Sequence, residues 1–193
     1  MSKTIIGDFH LPQGLLDALD SDAFPWYLNT YSSSTMFPFM CHVVISRGDG
    51  GVDPVPNSDT WPYVKEAFDR FCADAGIEYD EIIRCAFNLV LPPPIHEKSD
   101  LHVDDTVDHR VLVAHLFGDQ HGDTIIYQKT YEPGGPTNVL IADETEQDLK
   151  ELWRFSPEAG KAVCFDGAHF HAAGFPKLGE RRIVCVINFT VKK

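Results

Sequence analysis

The chain has 193 residues, of which 44% are hydrophobic and 23% are charged, and its formal net charge is −13. This length suits one domain with a single sizeable core, and the composition is ordinary for a globular protein. A surface this acidic repels nucleic-acid backbones and anionic membranes, so we expect neither as a partner. The longest apolar run, residues 183–187, is far too short to cross a bilayer.

Two further features favour a cytoplasmic protein. The first residues, MSKTIIGDFHLPQG, contain no hydrophobic signal-peptide core and no twin arginine. The cysteines are odd in number, scattered and without a C-x-x-C motif, at positions 41, 72, 85, 164 and 185. We therefore expect buried, reduced thiols rather than a disulfide framework.

The first part of the chain mixes helix and strand signals. Residues 11–20 predict a short helix, because three leucines fall on one of its faces. Residues 24–35 combine aromatic and polar side chains, which fits an irregular segment or an edge strand. Residues 36–51 predict a strand that ends at a Gly-Asp-Gly-Gly turn.

The clearest helix of the sequence covers residues 58–76. Ser58 or Asp59 is expected to cap its beginning, and Gly76 is expected to end it. Val64, Phe68 and Phe71 have the spacing of one buried helix face. This spacing predicts a helix that packs one face against a core.

After residue 80, short apolar runs alternate with turns rich in Gly, Pro and Asp. The runs cover residues 82–91, 110–117, 124–131, 138–142, 161–166 and 181–191. This rhythm is typical of an all-β sandwich or barrel, interrupted by a predicted short helix at 145–153. We expect one domain, 1–193, in which a helical and mixed part (1–80) packs on a double-sheet core (81–193).

The sequence LHVDD, residues 101–105, carries a candidate metal site. His102 and Asp104 are two residues apart, so in an extended chain their side chains point to the same side. An imidazole and a carboxylate presented in this way are two of the three facial ligands of non-haem Fe(II), and a second histidine comes from a distant strand. The H-x-D pattern alone is a weak signal.

A second segment, residues 160–189, has the features that this chemistry needs. It contains a strand, two histidines (His169 and His171), a turn, and arginines that open a strand of high β-propensity. A double-stranded β-helix oxygenase requires this order. The open face of its iron takes 2-oxoglutarate and O2, and an arginine fork on the following strand matches the far carboxylate of 2-oxoglutarate.

Several segments together resemble the 2-oxoglutarate/Fe(II)-dependent oxygenases related to the prolyl 4-hydroxylase catalytic domain, especially small members from phages and marine bacteria. The matching segments, in order, are FPWYLNT, IIRCAFNLVL, LHVDD, GDQHGDTIIY and GKAVCFDGAHFHAAGFPKLGERRIV. The resemblance covers most of the chain. It implies a mainly β fold with N-terminal helices, namely a double-stranded β-helix (a jelly roll of the cupin-like type).

The resemblance also implies the metal ligands. His102 and Asp104 match the family's H-x-D motif. The family's distal histidine stands four residues after the glycine of FDG and five before the proline, which selects His171. His169 is the alternative, and we expect it near the metal without ligating it. The three implied Fe(II) ligands are thus His102, Asp104 and His171.

One of two adjacent arginines is expected to bind 2-oxoglutarate, because strand alternation turns only one of them inward. With Arg182 inward, the strand lines the pocket with Val184, Val186 and Asn188. With Arg181 inward, the lining is bulkier. The family motif also aligns better on Arg182, so Arg182 is the favoured anchor.

A strand asparagine, Asn88, is a second candidate ligand of 2-oxoglutarate, at its near carboxylate. The chain departs from the family where carboxylate-binding tyrosines are usual. His115 or Leu116 stands at one such position, and leucine and valine follow Asn88 at the other. Tyr127 either faces the pocket or packs across strands. These departures predict weak rather than tight binding of 2-oxoglutarate.

The implied activity is hydroxylation of a C–H bond in a peptide residue or small metabolite, with consumption of O2 and release of succinate and CO2. Fe(II) and 2-oxoglutarate are the expected cofactor and co-substrate, and ascorbate is a candidate reductant. Two alternatives remain: a cupin-like metal-binding or sensing protein without turnover, and a zinc hydrolase that uses the same three ligands. The remaining histidines are expected on the surface or in loops: His10, His42, His96, His109 and His121.

Overall fold

The computed structural model describes residues 3–30, 38–48, 54–92, 97–117, 121–145 and 147–192. Within these residues the strands are β1 (Ile5–Asp8), β2 (Tyr27–Asn29), β3 (Phe39–Ser46), β4 (Val55–Pro56), β5 (Tyr79–Val90), β6 (Leu101–His102), β7 (Arg110–His115), β8 (Thr124–Thr130), β9 (Asn138–Val139), β10 (Glu151–Phe155), β11 (Lys161–Asp166), β12 (His169–Ala173) and β13 (Arg182–Val191). The helices are α1 (Gln13–Asp20), α2 (Trp61–Ala75) and a short 3-10 turn (Ile141–Asp143).

The strands form two antiparallel sheets. The eight-stranded sheet has the order β1-β11-β7-β13-β5-β3-β2, with β4 beside β3, and the five-stranded sheet has the order β10-β8-β12-β6-β9. The jelly-roll prediction is therefore confirmed. Strands β1, β2 and β3 extend the large sheet, so the first 80 residues supply sheet edges as well as the helices.

The large sheet separates two apolar layers. On one face, side chains such as Ile183 and Ile187 pack with Phe68 and Phe71 of α2. On the other face, Val184 belongs to a separate cluster with side chains of the small sheet. Alternation along β13 explains this division, because successive residues point to opposite faces. The space between the sheets is where the candidate site lies.

Helix α2 confirms the predicted apolar face, since Val64, Phe68 and Phe71 are all buried. It ends at Gly76, whose φ of 66° is the left-handed conformation that glycine adopts without strain. The predicted cap was wrong, because the N-cap position is Thr60 and makes no side-chain capping bond. The Ser58 hydroxyl instead accepts from the Thr60 amide and contacts His42.

The helix predicted at 145–153 is absent from the described residues of that segment. A turn leads instead into β10, which pairs with β8. Lys129 on β8 donates to Glu144 (2.7 Å) and Asp148 (3.2 Å), which ties this segment to the sheet. Tertiary pairing has here overridden local helix propensity.

The remaining local predictions have mixed outcomes. The edge-strand prediction for 24–35 is confirmed by β2, which lies at the end of the large sheet; residues 31–35 and the turn at 49–51 lie outside the described residues. All five cysteines are buried and unpaired, as expected. No helix among the described residues has the length and apolar character to span a membrane.

Candidate metal centre

Three side chains converge between the sheets. His102 ends β6 and lies directly opposite His171 of β12 in the antiparallel register. Their ring centroids are 4.3 Å apart. Asp104 follows two residues after His102, and its Oδ1 lies 3.8 Å from the Nε2 atoms of both histidines. The three ligand atoms all lie within 4.8 Å of one another, so the group could hold one metal ion.

Backbone carbonyls orient both imidazoles. The Nδ1 atom of His102 lies 3.3 Å from the carbonyl oxygen of Asp100, and Nδ1 of His171 lies 3.3 Å from that of His169. A proton on Nδ1 donates to the carbonyl and leaves the Nε2 lone pair directed at the centre. Contacts of this kind fix the tautomer and ring orientation of histidine ligands.

The Asp104 carboxylate is held from the large sheet. The side-chain amide of Asn188 on β13 donates to Oδ2 at 2.8 Å, which leaves Oδ1 facing the histidines. Arg47 fixes the backbone at this point, because its guanidinium donates to the Asp104 carbonyl and pairs with Asp105 at 3.1 Å. Asp105 is therefore an ion-pair partner of Arg47.

The electrostatics favour the metal-binding protonation states. Burial by itself raises the pKa of Asp104, but the charges of His171 and His102, together with Arg84, outweigh it and hold that pKa well below its ordinary value. Burial lowers the pKa of His171 to about 4, and neighbouring His102 acts in the same direction. At neutral pH the centre therefore offers a carboxylate and a neutral imidazole, the forms that metals bind.

His169 does not join the three side chains. Its Nδ1 lies 2.9 Å from the carbonyl oxygen of Tyr127 on β8. The register of β12 against β8 shifts between His169 and His171. This irregularity in the pairing explains why two histidines of an extended segment have different surroundings.

A cavity of about 330 Å³ opens beside the three side chains, and both sheets line it. His102, Asp104 and His171 form part of its wall on the small-sheet side. Side chains of the large sheet form the opposite wall: Asn88, Val90, Val113, Arg182, Val184 and Val186. The same wall also contains Asn29, Phe39 and Arg84, so it combines apolar side chains with several polar and charged groups.

Arg182 is the most unusual of these groups, because it is a charged side chain that is only 2% exposed. Its Nη2 donates to the Thr124 hydroxyl at 3.0 Å, while Nε has no partner. No carboxylate of the described residues lies within ion-pair distance. Burial lowers the pKa of Arg182 to about 10, so it stays charged at neutral pH. Arg181, by contrast, points away from the cavity and pairs with Asp20.

The turn before β8 closes this end of the cavity. Gly122 has a φ of 109°, and a Cβ there would lie 2.5 Å from the Gly174 carbonyl oxygen and 3.0 Å from Cδ of Arg182. The Thr124 hydroxyl accepts a hydrogen bond from Arg182, and it also lies 3.3 Å from Nε2 of His115. Burial, and then Arg182, lower the pKa of His115 to about 2, so this imidazole is neutral.

The other candidates have different surroundings. Asn88 lies opposite Val184 on β13, and its buried Oδ1 has no partner. Tyr127 is fully buried in the outer layer of the small sheet, where its hydroxyl accepts from Lys98 at 2.8 Å, so it packs rather than facing the cavity. Leu116 belongs to the core on the helix side.

Two histidines expected on the surface are not there. His109 is buried against Gly167, and His42 lies on β3, packed against Phe24. His10 and His121 are exposed as expected, and His96 lies outside the described residues.

Sequence reasoning missed three contributors to the site. Arg47 and Arg84 both line the cavity, and Thr124 joins Arg182 to His115. A signal for Arg84 was present, because it lies four residues before Asn88 on a strand and so shares its face.

No family model and no curated protein matches this chain. Several solved structures do match this chain. A 2OG-Fe(II) oxygenase family oxidoreductase from Burkholderia pseudomallei is 17% identical, with a TM-score of 0.60, over 97% of this chain and 85% of that one. A Pseudomonas putida prolyl-4-hydroxylase is 17% identical, with a TM-score of 0.56, over 98% and 93%. The epimerase SnoN, solved with Fe3+, α-ketoglutarate and nogalamycin RO, is 12% identical, with a TM-score of 0.60, over 97% and 78%.

At these identities the likeness concerns the fold. The two sheets and the site between them agree with that likeness. The chain therefore has the double-stranded β-helix fold of the 2-oxoglutarate- and Fe(II)-dependent oxygenases, prolyl 4-hydroxylases among them.

Proposed function

We propose that this protein is a 2-oxoglutarate- and Fe(II)-dependent dioxygenase that hydroxylates a C–H bond of a small metabolite or a peptide residue. One observation carries the proposal: the candidate metal ligands share a cavity with a buried guanidinium that forms no ion pair with any described residue. A metal-binding module or a zinc hydrolase needs the three ligands but has no use for such a cation.

The three side chains fit ferrous iron. Two imidazoles and one carboxylate arranged on one face are the donor set of non-haem Fe(II) oxygenases, and they leave the opposite face open. When bound, iron and 2-oxoglutarate supply the oxygen chemistry, in which O2, 2-oxoglutarate and a C–H bond yield succinate, CO2 and an alcohol. Asn188 and the two backbone carbonyls hold the ligand atoms in place for the metal.

The residues also fit 2-oxoglutarate. Arg182, whose guanidinium donates to the Thr124 hydroxyl, would hold its far carboxylate, because a buried guanidinium gains most from an anion when no other partner is near. Asn88, which lines the cavity, would donate from its side-chain amide nitrogen to the near carboxylate. Val184 and Val186 line the wall between and exclude water from it.

The direct test measures succinate. Purified protein with Fe(II), ascorbate and an excess of 2-oxoglutarate should form succinate slowly without added substrate, and only with O2 and iron. Zn(II) should inhibit, because it occupies the same ligands without redox chemistry. A thermal shift with Mn(II), none further with 2-oxoglutarate, and no succinate would indicate a metal-binding module. Hydrolysis supported by Zn(II) without O2 would indicate the hydrolase.

A cytoplasmic location stays a prediction.

A further inference from the structure

A second arginine lines the cavity at the end opposite Arg182. In the antiparallel register of β13 and β5, Arg182 lies opposite Val90, and Asn188 lies opposite Arg84. Six residues of β13 separate these two positions, which corresponds to roughly 20 Å along the strands. Both guanidinium-bearing residues line the one cavity.

The candidate metal ligands lie between these two ends. Asp104 belongs to the Arg84 end, since Asn188, the cross-strand neighbour of Arg84, holds its carboxylate. Towards the other end, His171 pairs with Ile126 of β8, and Thr124, two residues earlier on the same face, contacts Arg182. An anion bound by Arg182 and an anion bound by Arg84 would thus approach the metal from different sides.

Arg84 forms no ion pair in the described chain, and its charge acts on Asp104 only from beyond ion-pair distance, where it helps to lower the pKa of that carboxyl. Arg47, its neighbour in the cavity wall, pairs with Asp105, but no carboxylate of the described residues lies within ion-pair distance of Arg84. Under the proposed function, ferrous iron and Arg182 carry three positive charges, and Asp104 with 2-oxoglutarate carries three negative ones. The charge of Arg84 is then available to a further anion that enters the cavity.

We propose that Arg84 binds the substrate through a carboxylate group, so that the substrate class is carboxylic acids: free amino acids or chain ends with a free carboxylate. This inference rests on the proposed function and names its substrate. A guanidinium recognises a carboxylate through two parallel hydrogen bonds, which also orients the rest of the molecule toward the metal. An internal peptide residue offers no such group on its backbone.

Binding to the metal-loaded protein tests the proposal without turnover. The protein with Mn(II) and 2-oxoglutarate, kept anaerobic, is titrated with two sets of probes: the standard amino acids, and short peptides ending in each. Every probe is compared as the free acid and as its carboxamide. We expect at least one free acid to bind about tenfold or more tightly than its amide. The set in which it occurs distinguishes a free amino acid from a chain end.

The variant R84Q should remove this preference, so that acid and amide bind alike, and R84K should keep part of it. The 2-oxoglutarate affinity of R84Q should stay within about twofold of that of the wild type, because Arg182 is the arginine that binds 2-oxoglutarate. The control R70Q removes an exposed arginine of α2 that pairs with Glu66, and it should keep the full preference.

Three results would overturn the inference: no free acid preferred over its amide in either set, a preference that survives in R84Q, or a large loss of 2-oxoglutarate affinity in R84Q. The last result would assign Arg84 to the co-substrate. None of them bears on whether the wild-type protein binds 2-oxoglutarate and forms succinate, so failure here is distinct from failure of the proposed function.

Discussion

Replacing Arg182 by methionine separates the binding of co-substrate from the binding of metal. Methionine keeps an unbranched apolar stem in the space that Arg182 fills and removes the charge. The guanidinium has one hydrogen bond, to Thr124, and no carboxylate partner among the described residues. If its role is to bind 2-oxoglutarate, the variant should lose that ligand and keep the metal.

The expected magnitude follows from the burial of the site. Leaving a buried carboxylate without its charged partner costs about 2–4 kcal/mol, which is roughly a 30- to 1,000-fold rise in Kd. The ligand-free protein should respond in the opposite direction. Burial lowers the pKa of Arg182 to about 10, which corresponds to a cost on the order of 3 kcal/mol for keeping it charged. Methionine removes that cost, so the free energy of unfolding should be unchanged or higher.

Anaerobic calorimetry with Mn(II) as a redox-inert substitute measures both steps in order. The Mn(II) isotherm of R182M should match that of wild type, and the 2-oxoglutarate isotherm should weaken by the factor above. The matched control is R181M, since Arg181 is the neighbouring residue, lies partly exposed and pairs with Asp20. Equal 2-oxoglutarate affinity in R182M and wild type would refute the assignment, as would a marked loss of stability in the ligand-free variant.

Three further predictions follow from the site and its supports. Alanine variants of the proposed ligands should each abolish the rise in melting temperature that Mn(II) causes: H102A, D104A and H171A. The variant H169A should keep that rise, and a reversed result for the two histidines would show that the alignment of FDGAHFH is wrong. The variant N188A should weaken Mn(II) binding by about 10- to 100-fold in calorimetry, because Asn188 orients a ligand carboxylate; unchanged affinity would exclude that role. In urea unfolding, G122A should lose about 1–3 kcal/mol more than G134A, since both glycines have positive φ but only Gly122 has backbone 2.5 Å from a new Cβ; equal losses would contradict the steric argument.

Those parts of the site that depend on local geometry could be predicted from the sequence. Two residues on an extended chain share a face, which is enough to bring His102 and Asp104 together. Alternation along β13 likewise predicts that Arg182 and Arg181 have different surroundings, and in the structure only Arg182 lines the cavity. Helix α2 could be predicted in the same way, because the spacing of its apolar residues is a local pattern.

Contacts between the sheets could not be predicted in this way. Asn188 and Asp104 are 84 residues apart, and their hydrogen bond depends on how the large sheet lies against the small one. The position of Arg84 depends on the register of β5 against β13, which no local pattern specifies. Strand β10 was misassigned for the same reason, since its pairing with β8 decides a segment that favours helix on its own.

The far end of the cavity shows where the chain departs from the oxygenase family that its sequence resembles. Where carboxylate-binding tyrosines are usual in that family, the structure has His115 behind Thr124. Burial, and to a smaller extent the charge of Arg182, lower the pKa of this imidazole, so it is neutral. Neutral Nε2 can accept the Thr124 proton, so the hydroxyl oxygen keeps its lone pairs for Arg182. The anion at this end would then meet one guanidinium and few other donors. Fewer charge-assisted hydrogen bonds mean weaker retention of 2-oxoglutarate, and assays of this protein should therefore use the co-substrate in generous excess.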